Sequence, residues 1–317
     1  MAPKLSDYPQ IVDAAQNGKL VLFIGNGVSR LLGYPLWVDL GKRAINILYQ
    51  EGHIEYAEKD SLLELSPKIQ LSIFSDTYES KGIDYDYKNL ISKDKTQAME
   101  TQIYDALYSI GSVFVTTNYD DCLDKLAESQ ILSSKENSAS LAESAITIPT
   151  KVFFRREDLT SARLDQPGVV IHLHGSIKDK KTMIMTTRDY VSHYMNRFVI
   201  AFLSDLFTRK VVLFIGYSLE EEEILEYIVR KSNSEKESEP KHYWLYPRLS
   251  KDNSAHKHLE RYFAQHCSIK LIDYNIDKRG HAHLEEIIIE WASDLKGKVK
   301  KPNFEEEKDV IRQIIGK

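Results

Sequence analysis

Four short polar stretches hold the residue types from which a reaction could be built. They are Gly25-Asn26-Gly27-Val28-Ser29, Thr117-Asn118-Tyr119-Asp120-Asp121, His174-Gly175-Ser176 and Gly216-Tyr217-Ser218-Leu219. Glycines at Gly25 and Gly27 let a ligand approach the main chain closely. Free N–H groups at the start of a following helix attract an anion such as a diphosphate. The full dinucleotide fingerprint has a third glycine three residues further on, where this chain has Arg30. Each stretch also has a plain structural use. The glycine turn can be a strand–turn–helix corner without a ligand, Asn118 can cap a helix beginning at Tyr119, and His174 can bond to backbone. Asp121 and Asp124 read as solvated helix residues. By strand alternation His172 shares a face with His174, but it lies deeper, away from the strand end.

The elements that must position these stretches are apolar strands. Leu20–Ile24 precedes the first, Val113–Thr117 runs into the second, Val169–Leu173 precedes the third and Val211–Ile215 the fourth. Uninterrupted apolar runs of this length are expected for parallel strands covered on both faces. Further strands are expected at 151–154, 183–185, 242–246 and 269–274. Helices are expected from about Ser6 to Asn17, with Gly18 ending it, and over 40–50, 56–65, 96–110, 122–129, 190–210 and 283–295. The segment 31–40 reads as a loop. The long helix carries Tyr190, Tyr194, Phe198, Phe202 and Leu206 at four-residue spacing, a core face. Glu220 to Glu223 suit the first turn of another helix. Segments 129–147 and 231–241 read as polar loops. Strands alternating with helices predict an α/β fold, a Rossmann-like doubly wound parallel sheet with a helical insertion. In such a sheet the four stretches all fall at the carboxyl ends of strands, which line the ligand crevice.

Composition narrows the class. The chain has 317 residues, 42% hydrophobic and 28% charged, with a net charge of −5. That is enough apolar material for a sizeable core. The charge balance gives no basic surface for nucleic acid, so no direct nucleic-acid binding is expected; the cluster Lys296 to Lys301 reads as a solvated tail. Only two cysteines occur, Cys122 and Cys267, which excludes a four-cysteine zinc site and argues against a disulfide framework. No apolar run reaches the length of a membrane span, and the N-terminus lacks a signal-peptide core. The cytoplasm is the expected compartment.

In this order the four stretches, with Gly33-Tyr34-Pro35, resemble the sirtuin-like family. The resemblance spans about residues 18 to 275 and is absent from 38 to 110. It implies a domain over 1–300, interrupted by a helical insertion at about 38–110 and followed by a charged tail, 301–317. It implies NAD as the molecule bound, with cleavage of the nicotinamide–ribose bond. On that resemblance Gly25, Asn26, Gly27 and Ser29 form the turn that approaches the NAD diphosphate. Asn118 places the attacking water, Asp120 bonds the nicotinamide carboxamide, and His174 is the general base near the ribose hydroxyls. Gly216 and Ser218 contact the diphosphate or the adenosine ribose. The chemistry suits these residue types. Nicotinamide is already a cationic leaving group, so the reaction needs a held leaving group, a placed nucleophile and a base near neutrality.

Departures from the deacylating sirtuins set the expectation further. The zinc module cannot exist, Leu36-Trp37-Val38-Asp39 replaces their Phe-Arg pair, and Tyr119 replaces the usual Ile. The chain resembles more the zinc-less sirtuin-like enzymes of bacterial anti-phage systems. That implies an NAD glycohydrolase that depletes cellular NAD, with water as acceptor and no metal. The alternatives are a non-hydrolytic module that senses NAD or an ADP-ribose-like nucleotide, and a protein ADP-ribosyl or acyl transferase. An effector that depletes NAD must be held off in healthy cells. A homo-oligomer or a separately encoded partner, such as an ATPase or nuclease, is therefore expected, with 38–110 and the tail as contact surfaces.

Overall fold

The computed structural model describes residues 2–94, 96, 98–124, 151–218, 222–232 and 240–296. Among the described residues seven strands form one sheet: β1 (Leu20–Ile24), β2 (Val113–Thr116), β3 (Val152–Phe153), β4 (Val169–His172), β5 (Val211–Ile215), β6 (His242–Arg248) and β7 (Ile269–Asn275). Their spatial order is β3-β4-β2-β1-β5-β6-β7, and every pair is parallel. This is the expected Rossmann-like α/β sheet. The chain fills the β2, β4 and β3 side of β1 first and returns to its other side at β5, so the order reverses between β1 and β5.

The helices are α1 (Pro9–Gln16), α2 (Asn26–Ser29), α3 (Trp37–Gln50), α4 (Tyr56–Leu63), α5 (Pro67–Ser80), α6 (Tyr87–Leu90), α7 (Ile103–Ile110), α8 (Thr187–Tyr194), α9 (Arg197–Arg209), α10 (Glu222–Ser232), α11 (Asn253–Cys267) and α12 (His283–Leu295). Successive strand residues face opposite ways, so β1 divides its side chains between two cores. Leu20, Leu22 and Ile24 pack with α1, α7 and α12 around the buried Trp291. Val21 and Phe23 pack with α8 to α11 around Phe202, Phe207 and Phe214. Helices α3 and α5 form a third cluster around Phe74, which also takes in Tyr119, Met183 and Met185.

Several elements depart from the sequence pattern for local reasons. The long helix expected over 190–210 is two helices, because Asn196 leaves the helical path and its side chain caps α9 by accepting from the Phe198 amide. No strand forms at 183–185. That segment stays unladdered between a 3-10 turn at Lys180–Thr182 and the cap of α8, where Thr186 and Asp189 bond each other's amides. Helix α3 starts at Trp37 rather than at 40, since Asp39 reaches back to the Leu36 amide. Helix α7 starts only at Ile103, where Thr101 Oγ1 and the Gln102 amide both donate to Glu285. The helix expected at 122–129 begins at Cys122. Its remainder, the loop 129–147 and the tail 301–317 lie outside the described residues, as does most of 231–241. Among the described residues no helix is long and apolar enough to cross a membrane.

Candidate functional site

The four polar stretches follow β4, β2, β1 and β5, which are four neighbours at the centre of the sheet. Their last residues share one level: His172 faces Thr116, Thr116 faces Ile24, and Ile24 faces Ile215. The chain therefore leaves the sheet at one rim in all four places.

At the β1–β5 junction two turns interlock. The Gly25 amide donates to Ile215 O at 2.9 Å and the Gly27 amide to Gly216 O at 2.7 Å. Gly216 has φ +61°, a conformation that favours glycine. A Cβ at Gly25 would stand 2.5 Å from Gly216 O, and one at Gly216 would stand 2.6 Å from the Val28 amide. The glycines thus serve a backbone-to-backbone approach. The Gly27 and Val28 amides are both engaged within the protein, the second on Gly25 O. The helix after β1 is one turn, Asn26–Ser29, continued by a 3-10 turn at Arg30–Leu32. Asn26 donates from Nδ2 to Pro35 O, which ties the turn to the next loop. Ser218 is exposed.

Next to this junction Asn118, Ser29 and Asp120 form one network. Asn118 Nδ2 donates to Gly25 O at 3.1 Å and to Ser29 Oγ at 2.8 Å. Ser29 Oγ donates to Asp120 Oδ2 at 2.6 Å, and Tyr104 OH lies 3.3 Å from the same hydroxyl. Asp120 Oδ1 accepts from the Cys122 amide, so it also caps the helical turn there. Asn118 is only 8% exposed, and its side-chain Oδ1 is buried without a hydrogen-bond partner. Burial, with the Asp120 charge added, raises the Tyr104 hydroxyl well above its ordinary range and pushes the Cys122 thiol up to about 12. Both stay protonated at neutral pH.

His174 lies in a second group. It is 1% exposed, and its Nε2 shares a 2.8 Å hydrogen bond with the Tyr194 hydroxyl. Its ring meets Tyr190 and His193 edge-on at centroid distances of 5.1 and 5.8 Å. Burial, reinforced by His193 and Lys68, holds its pKa well below the ordinary histidine value, so the ring is neutral. An aromatic wall joins the two groups. Trp37 lies 6.4 Å from Tyr119 and 6.1 Å from Tyr190, and Tyr119 donates to Ile184 O at 2.5 Å.

Two expectations are corrected here. His172 and His174 do not share a face. His172 turns toward Asp124, on the side of α1, α7 and α12, whereas His174 packs among Tyr190 and Tyr194 on the other side. The strand ends at His172, and Gly175 with φ +80° closes a turn that breaks the alternation. Asp124 is not solvated. It is fully buried, 2.7 Å from His172 Nε2 and 3.0 Å from Lys178 Nζ.

The structure therefore brings Gly25, Gly27, Ser29, Asn118, Asp120 and Gly216 together, with His174 across the aromatic wall. Tyr104, Tyr194 and His193 were not singled out in the sequence as site residues; only the helical spacing of Tyr190 and Tyr194 hinted that they meet. A separate cleft of about 380 Å³ lies between α5 and residues 180–189, lined by Ser72, Asp76, Lys180, Met183 and Arg188 among others, with no rim residue in it. Among the described residues no three His, Cys, Asp or Glu are grouped to hold a metal.

A doubly wound parallel sheet with glycine turns meeting at its switch point defines a Rossmann-like α/β protein. The SIR2-like domain model matches residues 112–272, half of the chain, and the chain belongs to that family. It is similar to defense-associated sirtuin 2 of Bacillus subtilis, 24% identical over 220 residues, which covers 66% of this chain and 19% of that protein. It is also similar to the NAD(+) hydrolase ThsA of Acinetobacter baumannii (strain 532279), 23% identical over 246 residues, covering 76% of this chain and 45% of that protein. The chain spans less than half the length of these two curated relatives.

Proposed function

We propose that the chain is an NAD glycohydrolase that cleaves NAD to nicotinamide and ADP-ribose, acting as a regulated anti-phage effector that depletes NAD. The observation that carries this reading is the bare Oδ1 of Asn118, buried at the strand rim beside Ser29. A buried acceptor without a partner is costly, and a water or ribose hydroxyl would satisfy it. The names of the two relatives, a NAD(+) hydrolase and a defense-associated sirtuin, support the same reading. On it, Asn118 holds the attacking water, Asp120 bonds the carboxamide, and neutral His174 takes a proton near the ribose. Gly25, Asn26, Gly27, Ser29, Gly216 and Ser218 line the rest of the NAD site. Residues 1–300 act as one sirtuin-like domain with its insertion at 38–110.

Incubation of the protein with NAD, with nicotinamide and ADP-ribose followed by chromatography, tests this. Both products should form with wild type, and neither with Asn118→Ala or His174→Ala. A second reading, nucleotide sensing without hydrolysis, draws on the burial of His174 and its engagement by Tyr194. NAD binding without product formation by the fully assembled protein would favour it. Regulation by a homo-oligomer or a partner is part of the proposal. A monomer at micromolar concentration that hydrolyses NAD at full rate unaided would sink that part.

A further inference from the structure

His172 has no role in the reading above, yet it holds the residue that carries it. It ends β4 opposite Thr116, and its side chain is wholly buried. Its Nδ1 lies 3.0 Å from the main-chain carbonyl oxygen of Asn118, and its Nε2 lies 2.7 Å from Asp124 Oδ1. A carbonyl oxygen and a carboxylate can only accept. Both ring nitrogens must then carry hydrogen, which makes the ring an imidazolium.

The charged groups around it suit a cation. Asp124 faces it from the helical turn that starts at Cys122, and Asp120 acts from the turn after β2. Lys178, from the loop after β4, sits 3.0 Å from the far oxygen of Asp124 and keeps that carboxyl ionised. Cys122, beside Asp120, stays a neutral thiol. Burial alone would strip the proton from His172, but the hydrogen bond and charge of Asp124 outweigh it and raise its pKa. Burial alone would likewise raise Asp124, and His172 with Lys178 holds it below the ordinary carboxyl range.

We propose that His172 is a positioning residue, an imidazolium that grips the Asn118 carbonyl on one side and Asp124 on the other, and so sets the turn that presents the Asn118 side chain. A neutral ring can donate to only one of these acceptors. Loss of the proton therefore releases either the Asn118 turn or Asp124. The kinetic consequence rests on the NAD-cleaving reading; the state of the ring does not.

Two measurements on the full chain test this. In the first, ring nitrogens of 15N-labelled histidine are read by NMR at pH 7, above the ordinary histidine value of 6.5. One ring with both nitrogens protonated is expected in wild type and absent in His172→Gln. A bare nitrogen on the His172 ring overturns the proposal. In the second, NAD cleavage is followed against pH in wild type, Asp124→Asn and His172→Gln, each checked for cooperative melting. Without its carboxylate the imidazolium loses its proton sooner, so the alkaline limb of kcat in Asp124→Asn moves down by about one pH unit or more. KM for NAD stays within about twofold, and His172→Gln lowers kcat about tenfold or more. An alkaline limb that does not move in a folded Asp124→Asn overturns the proposal. If wild type cleaves no NAD, the functional reading fails, and the nitrogen spectrum alone decides His172.

Discussion

Asn118 donates to the hydroxyl of Ser29 at 2.8 Å, joining the ends of β2 and β1 across 89 residues of chain. That hydroxyl passes its own hydrogen to Asp120 at 2.6 Å. One small side chain thus orients both the amide and the carboxylate of the candidate site. Ser29→Ala leaves two buried polar groups short of a partner, a loss of about 1–3 kcal/mol each way it is read. We expect a lower denaturation midpoint in urea and NAD turnover reduced about tenfold or more. Full turnover in a folded Ser29→Ala would separate this network from the reaction.

Of the two interlocked turns, Gly216 alone combines a close approach with a positive φ. An alanine there must adopt φ near +61° and also stand 2.6 Å from the Val28 amide. Strain and clash together predict a destabilisation of more than about 2 kcal/mol. The larger effect should fall on NAD binding, because the β1 and β5 turns would have to part. Calorimetry for stability and a titration with NAD measure the two effects separately.

Tyr194 fixes the His174 ring through Nε2. Tyr194→Phe keeps the ring's packing and removes only the hydroxyl, at a stability cost of about 1 kcal/mol. The change removes one constraint on the His174 ring, and kcat should fall about tenfold while KM changes little. A raised KM with kcat unchanged would assign Tyr194 to binding instead.

Stability should peak near neutral pH. His174, His193 and His242 are buried, and burial lowers all three, the last two to about 3. Unfolding lets each take up a proton once the pH is below the ordinary value of 6.5, so stability falls as the pH falls from there. His172 has the opposite sign. Its raised pKa contributes stability that is complete below 6.5 and is lost as the pH rises through the folded value. Asp124, held low, adds stability that is present above its ordinary 3.8 and disappears only in stronger acid. Urea midpoints across pH 4 to 9 should therefore form a dome, by about the amounts such linkage allows. Asp124→Asn should flatten its alkaline side.

The centre of the sheet was legible because strands such as Leu20–Ile24 and Val211–Ile215 are uninterrupted apolar runs, the mark of strands buried on both faces. The rim was legible for the same reason: each polar stretch begins where a run stops. What escaped the sequence lies in long-range pairing. Asp124 looks like any helix carboxylate until Lys178 and His172 come to it across about 50 residues of chain. Strand alternation put His172 and His174 on one face because it carries no mark of where the strand gives way to a turn. The break between α8 and α9 escaped because an unbroken four-residue periodicity ran through Asn196, whose cap became visible only with the backbone in place.

The central position of β1 bears on how the protein is made. Leu20–Ile24 is made before both of its partners, β2 and β5, and Val211 pairs with Leu20 itself. At about 5–20 residues per second, this strand waits on the order of ten seconds or longer for its second neighbour. Until β5 is made, this short apolar strand has an unpaired edge, the kind of segment that seeds aggregation. Lys19 and Arg30 stand near its two ends as charged guards. The first part of the rim to be translated is thus among the last to be closed, and expression yield should respond to chaperone supply more than to any single contact at the site.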